Sequence, residues 1–163
     1  MKITQIHEIE LSSRCNLACA YCPSPTLKRA KIDMEWGTYL RSLDVVKHFV
    51  SRGTQGELAL TGVGEALLHP RFVEAVHLAR DAVGDGWLTF STNGLLFTDE
   101  LAAAIESARP AVYISLHRPE VASKAVEVAK RYGLLAGTNS SFATSALNWV
   151  GEVEWHVSHP PIV

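Results

Sequence analysis

Cys15, Cys19 and Cys22 are the only thiols in the 163-residue chain, and all of them fall in the stretch SRCNLACAYC, residues 13–22. An odd number cannot pair off within the chain, and spacings of three and two intervening residues close loops too short for an ordinary disulfide framework. Scattered cysteines are most often small buried hydrophobes or single redox thiols. Clustered in a chain that reads as cytosolic, they point to metal or cluster ligation. Structural zinc wants four ligands in a closed tetrahedron and usually shows paired C-x2-C knuckles; a fourth ligand is missing from this pattern. An iron–sulfur cubane held by three thiolates fits better, because it leaves one iron open to a ligand that is not protein.

Such a loop needs a scaffold. Short apolar runs alternate with amphipathic segments along the rest of the chain, the signature of a βα repeat. Strands are predicted at 3–11, 57–62, 87–91, 111–117, 134–139 and 152–157. Between them, Trp36, Leu40, Leu43 and Val50 share a helical face, as do Phe72, Val76, Ala79 and Val83, and again Val121, Ala125, Val128 and Tyr132. Asp33 and Thr98 suit N-caps, Pro119 a first turn, and Gly84 and Gly133 helix ends.

Successive βα units make parallel sheet. The expected fold is α/β: a partial (β/α)6 barrel with parallel strands, the cysteine loop after the first strand, and one domain over 1–163. A strand covered on both faces reads as continuous hydrophobe, yet these strands carry one polar set: Glu8 and Glu10, Ser91 and Asn93, Ser115 and His117, Asn139 and Ser141, Glu152, Glu154 and His156. The alternate set, including Ile9, Leu11, Phe90 and Ile114, is apolar and expected to face the helices. A lined, wet cavity follows, with an edge strand facing water as the plainer account of the last two strands. An acidic lining suits a cationic or hydrogen-bond-donating substrate group.

A net charge of −2 gives no general pull toward nucleic acid or anionic membrane. The N-terminal MKITQIHEIELSS has no long apolar run with a cleavage site, and nowhere do about 18 apolar residues run together. A cytoplasmic location is expected.

Ligands of such folds bind at the C-terminal strand ends, and there the motifs accumulate. Cys15, Cys19, Tyr21 and Cys22 follow the first predicted strand, Gly62-Val63-Gly64-Glu65-Ala66-Leu67-Leu68-His69-Pro70 the second, and Thr92-Asn93-Gly94 the third. Together with Tyr113-Ile114-Ser115-Leu116-His117, these residues resemble the radical S-adenosylmethionine (SAM) superfamily over roughly residues 10–133. Its C-x3-C-x-aromatic-C loop is the most specific part; Ala66 stands where the family usually has proline.

The resemblance implies a job for each motif. Cys15, Cys19 and Cys22 would bind three irons of a [4Fe-4S] cluster, and SAM would chelate the fourth through its amino and carboxylate groups. Gly62 and Gly64 would let the backbone approach SAM, and carbonyls of that loop would accept from its ammonium. Glu65 would pair with the same ammonium or brace the loop. Asn93 and Ser115 would bond ribose or carboxylate and Tyr21 would pack by adenine, although Asn93 beside Gly94 is also an ordinary turn cap. An electron from a flavodoxin- or ferredoxin-type donor would drive cleavage of SAM to methionine and a 5'-deoxyadenosyl radical. That radical would abstract hydrogen from a peptide, protein or small-molecule substrate.

Two rival readings stand beside it. One is an iron–sulfur binding or electron-transfer module without SAM chemistry. The other is a zinc-bearing nucleotide-binding domain, against which stand the absent G-x-x-x-x-G-K-[ST] and G-x-G-x-x-G motifs. Because HPPIV ends the chain directly after the last predicted strand, the chain is expected to be a trimmed or minimal core, or one that another chain completes. His156 and His159 read as exposed or partner-facing.

Overall fold

Parallel neighbours need a crossover of a dozen or more residues, usually a helix, to return the chain to the same end of the sheet. A computed structural model describes residues 7–19, 22–54, 56–116 and 119–139. These form β1 (Glu57–Ala59), β2 (Trp87–Thr92), β3 (Ala111–Ser115) and β4 (Leu135–Asn139). Helix α1 (Trp36–Val50) precedes β1, and α2 (Phe72–Val83), α3 (Asp99–Ile105) and α4 (Pro119–Arg131) lie in the connections. The strands run parallel in the order β1-β2-β3-β4, in one sheet that is not closed among the described residues. Leu58 sits beside Leu88, and Phe90 beside Val112.

The first predicted strand is present as an extended edge rather than a full ladder. Ile9 N donates to Ala59 O (2.9 Å) and Ala59 N to His7 O (2.8 Å), in parallel with β1. Its residues 3–6 and the predicted strand 152–157 lie outside the described residues. The others end within a few residues of expectation, and Leu60 N still donates to Thr89 O after β1 ends.

The two sets of side chains separate with two departures from the expected polar set, Glu8 being exposed and Asn93 buried. Ile9, Leu11, Leu58, Leu60, Leu88, Phe90, Val112 and Ile114 are buried in one core with the helices. Glu10, Thr89, Ser91, Tyr113 and Ser115 alternate with them and remain half-buried. Helix α2 supplies Phe72, Val76, Ala79 and Val83 to the core as its pattern predicts, each large apolar side chain contributing about 1.5–3 kcal/mol on full burial. Helix α4 begins at Pro119 and buries Ala125 and Val128 as expected, with Ala122 and Ala129, while Val121 and Tyr132 are only half-buried. Thr98 caps α3 by accepting from Leu101 N, and Gly84 ends α2 at φ 60°.

Helix α1 departs from the pattern. It buries Tyr39, Leu43 and Val46, whereas Leu40 is exposed. Tyr39, Leu43 and Val46 form the i, i+4, i+7 stripe that faces the core, and the Tyr39 hydroxyl donates to Ala75 O inside α2 at 2.6 Å. Its N-cap is Glu35, which accepts from Thr38 N at 2.8 Å. The expected cap, Asp33, is engaged elsewhere by Arg14.

Candidate functional site

The cysteine loop leaves the sheet at Leu11 and is closed at its base by the chain that returns to α1. Ser13 N donates to Ile32 O (2.9 Å), Met34 N to Leu11 O (2.7 Å), and Ile32 N to Ser13 Oγ (2.9 Å). Arg14 adds a two-pronged bond to Asp33 (3.0 and 2.7 Å) and reaches Leu68 O at 2.9 Å. Burial alone would raise the Asp33 carboxyl, but Ser12 and Arg14 outweigh it and hold it below the usual carboxylate range.

Within this closed loop the three cysteines are half-buried, free thiols. Leu17 N points at Cys15 Sγ and Ser24 N at Cys22 Sγ, each at 3.4 Å. Burial pushes both thiols up; Glu65, Cys22 and Cys19 add to it at Cys15, and Cys19 adds to it at Cys22. A nearby positive centre would offset this burial cost by favouring the thiolate form. Among the described residues no three histidine, cysteine or acidic side chains are arranged around a common point for a metal ion. The donor set fits a cluster with N–H···S support.

The loop after β1 packs directly on the cysteine loop. Glu65 N donates to Arg14 O at 2.7 Å. A Cβ on Gly64 would stand 2.1 Å from Ser12 O and 2.6 Å from Arg14 O, so only glycine permits this backbone contact. The Glu65 side chain is 3% exposed. Its carboxylate accepts from Asn93 N (2.8 Å) and Leu67 N (3.3 Å), capping the 3-10 turn Ala66–Leu68. Burial still leaves it above the usual range, against the lowering by Asn93, Thr92 and Leu67. Further on, His69 is buried; its Nδ1 accepts from Arg71 N (3.1 Å), which leaves Nε2 as the donor to Met34 O (3.2 Å). The ring stacks on Trp36 and ties this loop to the start of α1.

The loop after β2 completes the contact. Asn93 donates from Nδ2 to Asn16 Oδ1 (2.7 Å), with Cys15 Sγ 4.0 Å away, while Oδ1 accepts from Leu95 N (3.0 Å). The amide therefore caps its turn and grips the cysteine loop together. Ser115 ends β3 on the half-buried polar face, one position beyond the Thr92–Ile114 pair. The structure thus gathers the cysteine loop, Gly62, Gly64, Glu65 and Asn93 at the C-terminal strand ends, with Ser115 one strand away. Tyr21, His117, Ser141, Glu152, Glu154, His156 and His159 lie outside the described residues. Sequence reasoning passed over Asn16 and Arg29, and nothing in their spacing marks them. A cavity of about 600 Å³, lined by Trp87, Glu106, Arg109, Tyr132 and Leu135, lies at the opposite, N-terminal ends of β2–β4, away from the ligand-binding end of such folds.

The model of the radical SAM superfamily matches residues 9–141. This chain belongs to the radical SAM superfamily. The family uses a [4Fe-4S] cluster and SAM for radical chemistry and needs an electron donor. The chain is 31% identical over 150 residues to a tungsten-containing aldehyde ferredoxin oxidoreductase cofactor-modifying protein of Pyrococcus furiosus, covering 91% of this chain and 40% of that protein. It is 32% identical over 114 residues to a GTP 3',8-cyclase of Chlorobaculum tepidum, covering 66% of this chain and 31% of that one. The chain therefore spans less than half the length of these curated relatives. Among solved structures, BtrN in complex with AdoMet and 2-DOIA matches with TM-score 0.69 at 19% identity, over 86% of this chain and 58% of BtrN. Native anSMEcpe with bound AdoMet and Kp18Cys peptide matches with TM-score 0.61 at 22% identity, over 83% of this chain and 42% of that one. These likenesses establish the partial-barrel fold. No helix among the described residues is long and apolar enough to cross a membrane.

Proposed function

We propose that Cys15, Cys19 and Cys22 hold the [4Fe-4S] cluster and that SAM lies across the loop ends carrying Gly62, Gly64, Glu65, Asn93 and Ser115, with Tyr21 at its adenine. Held there, the cluster and SAM would supply the radical chemistry that removes a hydrogen atom from substrate. The protein's own residues do the positioning. The clamp between Ser13 and Ile32 closes the thiol loop, Asn93 grips Asn16 beside Cys15, and Glu65 pins Asn93 to the glycine loop. Glu65 serves as the brace: its carboxylate is already satisfied by backbone N–H groups, and SAM's ammonium is left to the loop carbonyls. A flavodoxin- or ferredoxin-type protein provides the electron.

The observation that carries this reading is that the three thiols sit half-buried in the loop at the C-terminal strand ends, with the buried Asn93 amide 4.0 Å from Cys15 Sγ and held in turn by the buried Glu65. The test is anaerobic reconstitution, addition of SAM and dithionite, and mass-spectrometric scoring of 5'-deoxyadenosine beside Cys19→Ala. Product lost in the variant supports the reading; product formed equally by the variant sinks it. For the substrate we favour a peptide or protein, as in the complex of anSMEcpe with a peptide. The small molecule 2-DOIA in the BtrN complex marks the rival class, and deuterium transfer into 5'-deoxyadenosine from labelled candidates separates them.

A further inference from the structure

Glu10 stands on the half-buried polar side of the edge segment before the cysteine loop. Its Oε1 accepts from Val63 N at 2.7 Å and more weakly from Gly64 N at 3.4 Å. Arg29, on the chain that leaves the cysteine loop, donates to Oε1 at 2.8 Å and lies 2.7 Å from Oε2. One carboxylate thus joins the strand before the thiols, the chain after them and the backbone of the glycine loop. Gly62 completes the arrangement. A Cβ there would stand 2.4, 2.5 and 2.6 Å from Cγ, Oε1 and Cδ of Glu10, so the glycine's side-chain space is filled by Glu10.

A trans peptide is planar, with its N–H and C=O pointing in opposite directions. An amide of Val63 aimed at Glu10 therefore turns the Gly62 carbonyl away from it, and the weaker Gly64 bond does the same for the Val63 carbonyl. We propose that Glu10 is a positioning residue for SAM: it orients the Gly62 and Val63 carbonyls toward the ammonium, while Arg29 neutralises its charge so that it does not compete for that cation. This rests on the proposed binding of SAM at the glycine loop. It also assigns the smallness of Gly62 to Glu10 rather than to SAM.

The test uses the chain with its cluster reconstituted anaerobically, reading the SAM dissociation constant by calorimetry and the SAM-induced change in the EPR spectrum of the reduced cluster. Removing a charge-assisted bond that sets the loop should raise the constant about tenfold in Glu10→Ala. Glu10→Gln keeps an acceptor for Val63 N and should stay within about threefold of wild type. Gly62→Ala should match Glu10→Ala by displacing the carboxylate. The double variant should be no worse than either single, because the clashing atoms are gone. Iron content and thermal melting are read in parallel, and if Glu10→Ala does not fold, Glu10→Asp, too short to reach Val63, takes its place. Wild-type affinity in Glu10→Ala, or additive losses in the double variant, overturns the inference and leaves the proposed function standing. Absence of SAM binding by the wild-type protein overturns both.

Discussion

Replacing Gly64 by alanine should pry apart the two loops that build the site. The new Cβ would stand 2.1 Å from Ser12 O, 2.6 Å from Arg14 O and 2.8 Å from Ser13 C, where a carbon normally rests about 3.5 Å or more from its neighbours. All three are backbone atoms, so no rotamer change relieves the contact, and the loops must part by about 1 Å. That shift strains the packing by about 1–3 kcal/mol and stretches the 2.7 Å bond from Glu65 N to Arg14 O, worth about 1 kcal/mol. The sum is about 2–4 kcal/mol, and at about 2–4 °C per kcal/mol for a chain of this size the melting midpoint should fall by about 5–15 °C. Circular dichroism of the metal-free chain measures the fall, and iron bound per chain after reconstitution measures the loss of the site. Gly62→Ala is the internal control, because its Cβ meets the Glu10 side chain, which can swing aside. A Gly64→Ala protein that melts with wild type and binds a full complement of iron would refute the argument.

Other expectations follow from single contacts. Asn93→Ala frees Asn16 beside Cys15, and loss of this supporting bond should speed iron removal by a chelator about tenfold; an unchanged rate would show that Asn93 serves its turn alone. His69→Ala leaves Arg71 N and Met34 O without their partner in a partly buried place, costing about 1–3 kcal/mol in urea unfolding. Tyr39→Phe removes the bond to Ala75 O and should cost about 1 kcal/mol while leaving iron content unchanged. Asp33 has its carboxyl lowered in the folded chain, so its contribution is present above the ordinary carboxylate value and lost as pH falls through the lower folded one. The stability gap between wild type and Asp33→Asn should therefore be widest near neutrality and close below about pH 4; a gap that widens on acidification would reverse the assignment.

The thiol loop and the βα scaffold were legible because both are local. Three cysteines at fixed spacing state their chemistry within eight residues, and strand and helix periods repeat along the chain wherever one face must be buried. The apolar face of α2 was read correctly on that ground. In α1 it was not: the buried face runs through Tyr39, Leu43 and Val46, with the Tyr39 hydroxyl bonded to α2, and the neighbouring apolar Leu40 is left exposed. The cap failed for a related reason, since Asp33 and Glu35 are both good acceptors and only the position of Arg14 decides which is free.

Sequence alone determined the thiol loop, the strand ends that present it and the alternation of polar and apolar faces, because residue type and period carry that information without knowledge of partners. Tertiary structure alone decided what each polar residue does there. Glu10, which reads as a lining acid, meets Val63 53 positions away; Glu65 meets Asn93 28 positions away; and the room denied at Gly64 is taken by Ser12 and Arg14. A carboxylate's role depends on which donor reaches it first, and that is settled only when distant segments close on one another.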